Sequence, residues 1–459
     1  VSFAGNYATT ARLQAHNLAA VLEVTLNEAQ WLTDAGTLST AMNMSDTACR
    51  ARGKAYDPRV IAGGWKSVRQ EIEVRVAGLS SLTTSVTVAD TDNRVRDALV
   101  VGGNQRNSAA RIYRVVPGST TDYDSRFTGL VDSWSFAPNQ VTLNLRTDDR
   151  VMRTHWPAWP YLKSEWFQMA LDSVNEYAAH CYGKHDATAL GLDHGMLPTV
   201  PVWLGANSWY AVALGPLDQI KDVFVGGVLA TPTTDWVPVY GSLAGGKIFS
   251  IVEFQPGQFP AVDAVVTVNA SGYAAVNDGT YDGTATLTNP VAQIRHFIIN
   301  FAVNRTRGYI PGAWDAADPL IDATTWNAAE DYAQEHGLEG ARFMQDQRSV
   351  DDTFTEWLES FPMFRPYWSS DGTIKMRILD ATWPGYWDDS TPIISREDDI
   401  ASSFRYEVDA REVTGKISCQ YLYDSVQGQF LRTLDVQDLG AGEIADSQLS
   451  MYWSPARQV

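Results

Sequence analysis

Val141-Thr142-Leu143-Asn144-Leu145 alternates apolar and polar residues with a period of two. That spacing sets Val141, Leu143 and Leu145 on one face of a half-buried strand. Upstream, Phe127-Thr128-Gly129-Leu130-Val131 and Arg111-Ile112-Tyr113-Arg114-Val115 read as two further strands. Ser85-Val86-Thr87-Val88 repeats the alternation, and so does Glu71-Ile72-Glu73-Val74-Arg75-Val76. Turn clusters at Pro117-Gly118-Ser119 and Ala137-Pro138-Asn139 separate the runs. Many short strands at roughly ten-residue spacing predict a barrel or sandwich.

The pattern changes at Trp156-Pro157-Ala158-Trp159-Pro160. A helix is expected next, capped by Ser164, with Trp166, Ala170, Val174, Tyr177 and Cys181 on one face and Gly183 as its stop. Strand patterns return at Pro201-Val202-Trp203-Leu204, Ile220-Lys221-Asp222-Val223-Phe224-Val225 and Val265-Val266-Thr267-Val268, with a tight turn at Gly226-Gly227. Asn289-Pro290 opens a helix whose apolar stripe is Val291, Ile294, Phe297, Ile298 and Phe301. A second helix fits Thr325 to His336, capped by Asp322 or Thr324, with Gly337 beyond its end. A third fits Val350 to Ser360 behind a Ser349 cap, with Val350, Phe354, Trp357, Leu358 and Phe361 sharing a face. Tyr367-Trp368 and Thr373-Ile374-Lys375-Met376 flank Asp371-Gly372 as a hairpin, and Val413-Thr414-Gly415-Lys416-Ile417-Ser418 returns to β.

The reading is α+β, mainly β, with barrel or sandwich domains and an inserted helical block. Residues 1–154 form an N-terminal β domain, 155–197 a connecting helix and loop, and 198–288 a second β domain. Residues 289–365 form the helical block and 366–459 a C-terminal β domain. No repeat, low-complexity stretch or charged linker is visible, so the domains are expected to pack or interleave.

At 459 residues the length corresponds to roughly three domains. Apolar residues at 45% exclude gross disorder. Thirty-five basic residues against 54 acidic ones leave a formal charge of −19. Such a chain is a poor non-specific binder of nucleic acid and of anionic membranes, both of which attract cations. Cys49, Cys181 and Cys419 are odd in number and form no CxxC, which argues for a reducing compartment over a disulfide framework. No apolar stretch reaches eighteen residues, so no membrane span is expected. Arg12, His16 and Asn17 interrupt any signal-peptide core before Val21. The chain starts at Val1, from which removal of an initiator Met or trimming is expected.

Three clusters could carry chemistry. His180, Cys181, His185 and His194, with Asp186 and Asp193, gather metal-ligating types, but their spacing matches no zinc pattern. A helix end and polar loop explain them better. Asp278-Gly279-Thr280-Tyr281-Asp282-Gly283 has two acids of a calcium loop, yet Asn289 stands where the template needs Glu. Asp351-Asp352 with Glu356 and Glu359, and Asp388-Asp389, are paired carboxylates of the kind a glycosidase uses. In an acidic chain they read as solvated faces, and the first pair sits where a helix N-terminus favours negative charge. No nucleophile elbow, P-loop, HExxH or dinucleotide fingerprint occurs. No catalytic, cofactor or metal residue is therefore assigned, and no enzyme activity is expected.

A family resemblance covers most of the chain. The strand Val21-Leu22-Glu23-Val24-Thr25-Leu26 leads to Gly53-Lys54-Ala55-Tyr56-Asp57-Pro58, then to a segment ending Ser85-Val86-Thr87-Val88-Ala89-Asp90. Ala110-Arg111-Ile112-Tyr113-Arg114, Phe127-Thr128-Gly129-Leu130-Val131-Asp132-Ser133-Trp134 and Val141 to Leu145 follow. This order resembles the N-terminal hub domain of tailed-bacteriophage tail-tip and baseplate hub proteins, which also occur in gene transfer agents. Pro201 to Gly205, Gly215 to Val225, Ile321-Asp322-Ala323, the helix from Ser349, Phe364-Arg365-Pro366-Tyr367-Trp368 and Gly372-Thr373-Ile374 continue the likeness.

The resemblance implies a structural virion protein, assembled in the bacterial host cytoplasm. Its β-barrel hub domains would close around the tail axis as a homo-oligomer, a trimer by preference. Its partners would be the distal tail or tail tube protein, tip, spike or fibre proteins, and the tape measure protein. DNA would meet it only in transit during ejection. A trimer would carry three times −19, a formal −57, and negative walls let phosphates slide without sticking. The same charge also keeps an assembly subunit soluble. The helical block from Val291 to Phe361 is expected outside the ring. A C-terminal lysin or receptor-binding extension is expected to be missing, because Val459 follows soon after the last β segment. The alternatives are a receptor- or carbohydrate-binding tail protein, with Trp156, Trp159, Trp203 and Trp209 stacking on sugars, and a hydrolase with a carboxylate pair.

Overall fold

The computed structural model describes residues 18–27, 31–32, 38–68, 79, 81–100, 105–164, 166, 169, 171–186, 188, 191–204, 208–243, 247–261, 264–277, 280–303, 319–361, 363–379, 416–437 and 457–458. About 48% of it is strand and 16% helical, a mainly-β α+β fold. The chain divides into two units. One comprises Val1–Arg153, Asp318–Trp326 and Pro366–Met376; the other comprises Thr154–Ala317, Asn327–Arg365 and Arg377–Val459.

Alternating side chains build the first unit. Its nine strands are β1 (Ala19–Thr25), β2 (Ala41–Ser45), β3 (Cys49–Ala51), β4 (Lys54–Pro58), β5 (Val60–Trp65), β6 (Thr83–Ala89), β7 (Ala109–Val115), β8 (Tyr123–Ala137) and β9 (Gln140–Arg146). They lie in the order β3-β4-β2-β1-β7-β8-β9-β6-β5. Val141, Leu143 and Leu145 of β9 are buried, as are Val86 and Val88 of β6. The antiparallel register sets Val141 opposite Val88 and Leu143 opposite Val86, so one apolar face runs across both strands. Asn139, with φ 58°, supplies the left-handed residue of the β8–β9 turn. Helix α1 (Arg94–Val100) is capped by Asp90, whose carboxylate accepts from Val95 N at 2.8 Å and Arg96 N at 3.2 Å. The discontinuous pieces join by hydrogen bonds. Ile374 N donates to Leu320 O at 2.7 Å, the Trp326 indole donates to Ile374 O at 3.0 Å, and Ser125 Oγ donates to Ser370 O at 3.0 Å.

Of the expected barrel or sandwich, no closed barrel forms among the described residues. The described sheets are open, ending at β3 and β5 in this unit. Period-two alternation specifies a buried face; closure depends on the pairing of chain-distant edges, which alternation does not encode.

The second unit carries two antiparallel sheets. One has β11 (Lys184–His185), β19 (Val266–Asn277), β15 (Leu217–Val225) and β16 (Val228–Leu229) in that order, with β12 (Leu197–Pro198) and β20 (Thr280–Thr286) also paired to β19. The other runs β13 (Val200–Leu204), β14 (Ser208–Leu214), β18 (Lys247–Phe254), β17 (Trp236–Leu243). β10 (His180–Tyr182) pairs with Arg342–Met344. Gly226 and Gly227, at φ 53° and 85°, turn β15 into β16 as their positions require. A C-terminal hairpin of β21 (Lys416–Asp424) and β22 (Gln429–Gln437) completes the described strands apart from short pairs. Residues 413–415 and the strand expected at 71–76 lie outside the described residues.

The expected helix from Ser164 to Cys181 is also replaced. Among the described residues of this segment, isolated turns and a 3₁₀ turn at Leu171–Ser173 occur, and Asn175 has φ 72°. Tyr161 N donates to Glu176 O, Asn175 N to Tyr161 O, and Ala178 N to Trp159 O. Those bonds use the backbone groups that a helix would need. His180-Cys181-Tyr182 then joins a strand pair, which aromatic residues tolerate better than a helix interior. Gly183 is not a helix stop. Its φ is 73°, and a Cβ there would fall 2.1 Å from Gly340 O.

Three other helices stand close to their expected positions. α2 (Pro290–Phe297) is capped by Asn289, whose side chain accepts from Val291 N and Ala292 N. All eight of its residues are buried, not a stripe alone. Its polar members are satisfied in part: Gln293 Nε2 donates to Leu287 O and Gly340 O, and Arg295 Nη1 donates to Asn327 Oδ1 at 2.7 Å, while Gln293 Oε1 and Arg295 Nε are buried without a hydrogen-bond partner among the described residues. A π-helical turn, Ile298–Val303, follows. α3 (Ala323–Glu335) is capped by Asp322, which accepts from Thr325 N at 3.0 Å. α4 (Val350–Ser360) is capped by Ser349, which accepts from Asp352 N at 3.0 Å. No helix among the described residues is long and apolar enough to cross a membrane.

Leu143→Ala is expected to cost about 2–5 kcal/mol, because the vacated volume lies in a packed sheet face. Ser349→Ala, which strips the α4 cap, is expected to cost about 1 kcal/mol. Urea unfolding of each variant against the parent measures both.

Candidate functional site

The histidine cluster that the sequence singled out is divided between a buried core and a polar rim. Strand β10 carries His180 into the core, where its Nδ1 lies 3.0 Å from the Tyr273 hydroxyl. That hydroxyl donates to Leu214 O at 2.5 Å. Having given its proton there, it accepts from His180, which places the imidazole proton on Nδ1. His180 Nε2 is then a buried nitrogen with no partner. Close by, the Tyr182 hydroxyl lies 2.9 Å from His296 Nδ1. Phe301 packs on His180 with ring centroids 4.1 Å apart, and Trp357 packs edge-on against Tyr182 at 5.4 Å.

These histidines are neutral. Burial pushes His180 down to about 3, with repulsion from His296 adding to it. Burial alone takes His296 to about 3. Burial takes His185 to about 4, against the opposing pull of the Tyr182 and Arg342 backbone. Burial likewise raises the Cys181 thiol far above the reactive range. Cys49 and Cys181 are both free thiols; Cys419 lies in β21, and its side chain is outside the described ones.

On the rim, Asp186 pairs with Lys221 and accepts from Thr188 N at 2.9 Å. Asp222 accepts from Asn269 Nδ2 at 3.2 Å. His194 Nε2 meets Asp424 Oδ2 at 2.7 Å, and its Nδ1 meets Asp193 Oδ1 at 3.1 Å. Among the described residues no group of three or more His, Cys, Asp or Glu side chains is placed to hold a metal ion.

The paired carboxylates are bound into local structure. Asp352 Oδ2 accepts from Ser349 Oγ at 2.6 Å at the head of α4. Glu356 pairs with Arg342 and, at 2.7 Å, with Arg348. Glu359 is exposed, and Asp388-Asp389 and Asp278-Gly279 lie outside the described residues. The four tryptophans form no common row. Trp156 is core, with Trp159 edge-on at 4.7 Å. Trp203 and Trp209 are half-buried partners across the β13–β14 hairpin, 5.5 Å apart.

One charged cluster was not singled out beforehand. Glu23 sits buried on β1 between Leu22 and Val24. Tyr56 OH donates to it at 2.5 Å, Lys54 Nζ at 2.8 Å and Arg52 Nε at 3.3 Å. The Arg52 guanidinium lies 3.8 Å over the Tyr113 ring and 3.9 Å over Tyr123. Burial acts to raise the Glu23 carboxyl, but the bonds from Lys54 and Tyr56 outweigh it and hold the acid below its ordinary range. The signal was present: one acid inside the apolar run Val21-Leu22-Glu23-Val24, a position that requires a buried donor set.

No protein-family model and no curated protein matches the chain. Solved structures do show likeness, including these two. One is from the virion of a native gene transfer agent particle, with 14% identity and a TM-score of 0.25, covering 57% of this chain and 83% of that one. The other is the 43 kDa tail protein of prophage MuSo2 from Shewanella oneidensis, with 9% identity and a TM-score of 0.33, covering 96% of this chain and 73% of that one.

The neutral core histidines make the second unit acid-sensitive. Their folded pKa values lie below the ordinary 6.5, so unfolding takes up protons as pH falls beneath that value. Stability is full above about pH 6.5 and declines toward pH 4, by up to about 1.4 kcal/mol per pH unit for each histidine. Urea midpoints at pH 7, 6 and 5 are expected to fall steadily. A midpoint unchanged across that range excludes a neutral histidine core.

Proposed function

We propose that the chain is a structural subunit of a bacteriophage-type tail, placed at the tip or baseplate hub and doing no bond-making. The observation that carries the reading is the folded state of the segments bearing the family resemblance. Val21 to Thr25, Ala110 to Arg114, Phe127 to Trp134 and Val141 to Leu145 are consecutive or adjoining strands of one sheet. Later, a Ser349-capped helix is followed by the Asp371-Gly372 hairpin. The groups with catalytic potential support it further. His180, His296 and Cys181 are packed in a low-dielectric core, and Asp352 and Glu356 serve a helix cap and arginine pairs.

In this reading three copies close around the tail axis. They join the distal tail or tail tube protein to tip, spike or fibre proteins, and they surround the tape measure protein and then the ejected DNA. The block from Val291 to Phe361 faces peripheral tail components. The formal −19 per chain keeps phosphates from adhering in transit. The half-buried Trp203–Trp209 pair favours a second reading, glycan recognition by a tail protein.

Light scattering of the purified chain and gold labelling of particles separate these readings. A homo-oligomer of three chain masses, with label at one end of the tail, is the expected result. A monomer absent from particles overturns the hub. Glycan binding that disappears in Trp209→Ala establishes the second reading in its place.

A further inference from the structure

We propose that His194 and Asp424 form a protonation-controlled clasp that docks the C-terminal hairpin, β21–β22, onto the β19 sheet of the same unit. The partners are 230 residues apart in sequence, and their side chains meet at 2.7 Å. Each is pre-set by its own backbone. Gly195 N donates to Thr267 Oγ1 at 2.8 Å and Met196 N to Asn269 Oδ1 at 3.1 Å, which fastens the His194 loop along β19. Leu197 and Pro198 then pair with Val268 and Thr267. On the hairpin, Asp424 Oδ1 accepts from Val426 N at 2.9 Å and Gln427 N at 3.1 Å, and Gly428 N donates to Asp424 O at 2.8 Å. That turn leaves Oδ2 for His194. Asp424 is fully buried while Gln427, Gly428, Gln429 and Phe430 are exposed, so the carboxylate is the anchored point of an otherwise solvated tip.

The ring needs two N–H groups to serve both carboxylates. Nε2–H points to Asp424 and Nδ1–H to Asp193, and only the imidazolium has both. A neutral ring keeps one donor and leaves one acid unserved. The charged groups acting on the ring are Asp424 from the hairpin and Asp193 from its own loop. The adjoining β19 positions, Thr267 and Asn269, are neutral. The hydrogen bond to Asp424, then that to Asp193, raises His194 above its ordinary 6.5. The clasp is therefore complete below about pH 6.5 and weakens as pH rises through the raised value. Its sign is opposite to that of the buried histidine core.

Hydrogen-exchange protection factors, corrected for intrinsic rates, are to be measured at pH 6 to 9 for the parent, His194→Gln and Asp193→Asn. Amides of Gln429–Gln437 report docking and those of Ser208–Leu214 serve as the internal control. In the parent, hairpin protection is expected to fall by about tenfold for each unit by which docking onto Asp424 raises His194, with the control unchanged. His194→Gln is expected to give low protection that does not vary with pH. Asp193→Asn, which alters an exposed acid, is expected to keep docking at pH 6 and to move the transition to lower pH. Parent protection that is flat with pH, or His194→Gln matching the parent at pH 6, overturns the clasp. Should His194→Gln also unsettle the control strand, Asp193→Asn decides alone, and an unmoved transition overturns the proposal.

Discussion

The hydroxyl of Tyr273 holds the core of the second unit in register. It stands on β19, donates to the backbone of Leu214 on β14 and accepts from His180 on β10. Three strands from three parts of the chain thus share one buried oxygen. A lost bond there strands polar atoms in a medium where each costs about 1–3 kcal/mol. The helix α2 packs over the same cluster and supplies His296 to Tyr182, so the helix is buried on every side. A helix carrying Gln293, Arg295 and His296 inward needs partners on each face: the neighbouring segments 287, 327–330 and 340 serve Gln293 Nε2 and Arg295 Nη1, and Tyr182 serves His296.

The two units meet the cost of buried polarity in different ways. In the first, Glu23 remains charged because a tyrosine and two cations converge on it. In the second, His180 has one partner and stays neutral, since a single hydroxyl cannot offset the desolvation of an imidazolium. The number of donors and acceptors at each group therefore decides its charge. His194, with a carboxylate on each ring nitrogen, marks the other extreme and favours the cation.

Much of the local structure was legible beforehand because its causes are local. Asn289-Pro290, Asp322 and Ser349 cap helices through their own neighbours' N–H groups. Gly226-Gly227 and Gly372 turn hairpins through φ angles that few residues adopt. From Ser164 to Cys181 the apolar spacing fits a helix, whereas the segment's hydrogen bonds go to residues 159–161 and 342–344. Of the candidate site, the histidines were legible as a cluster in sequence. Their separation into a core and a rim was not, because Tyr273, His296 and Asp424 lie far along the chain.

The sequence by itself determined the secondary-structure class, the faces that strands bury, the caps and the turns, since each rests on contacts within a few residues. The tertiary structure alone decided that the sheets stay open, that α2 is wholly enclosed, and which acid or base keeps its charge. The charges depend on groups brought together from 29 to 230 positions away. No local pattern encodes the partner's arrival, and burial without that partner reverses the energetic sign of the same side chain.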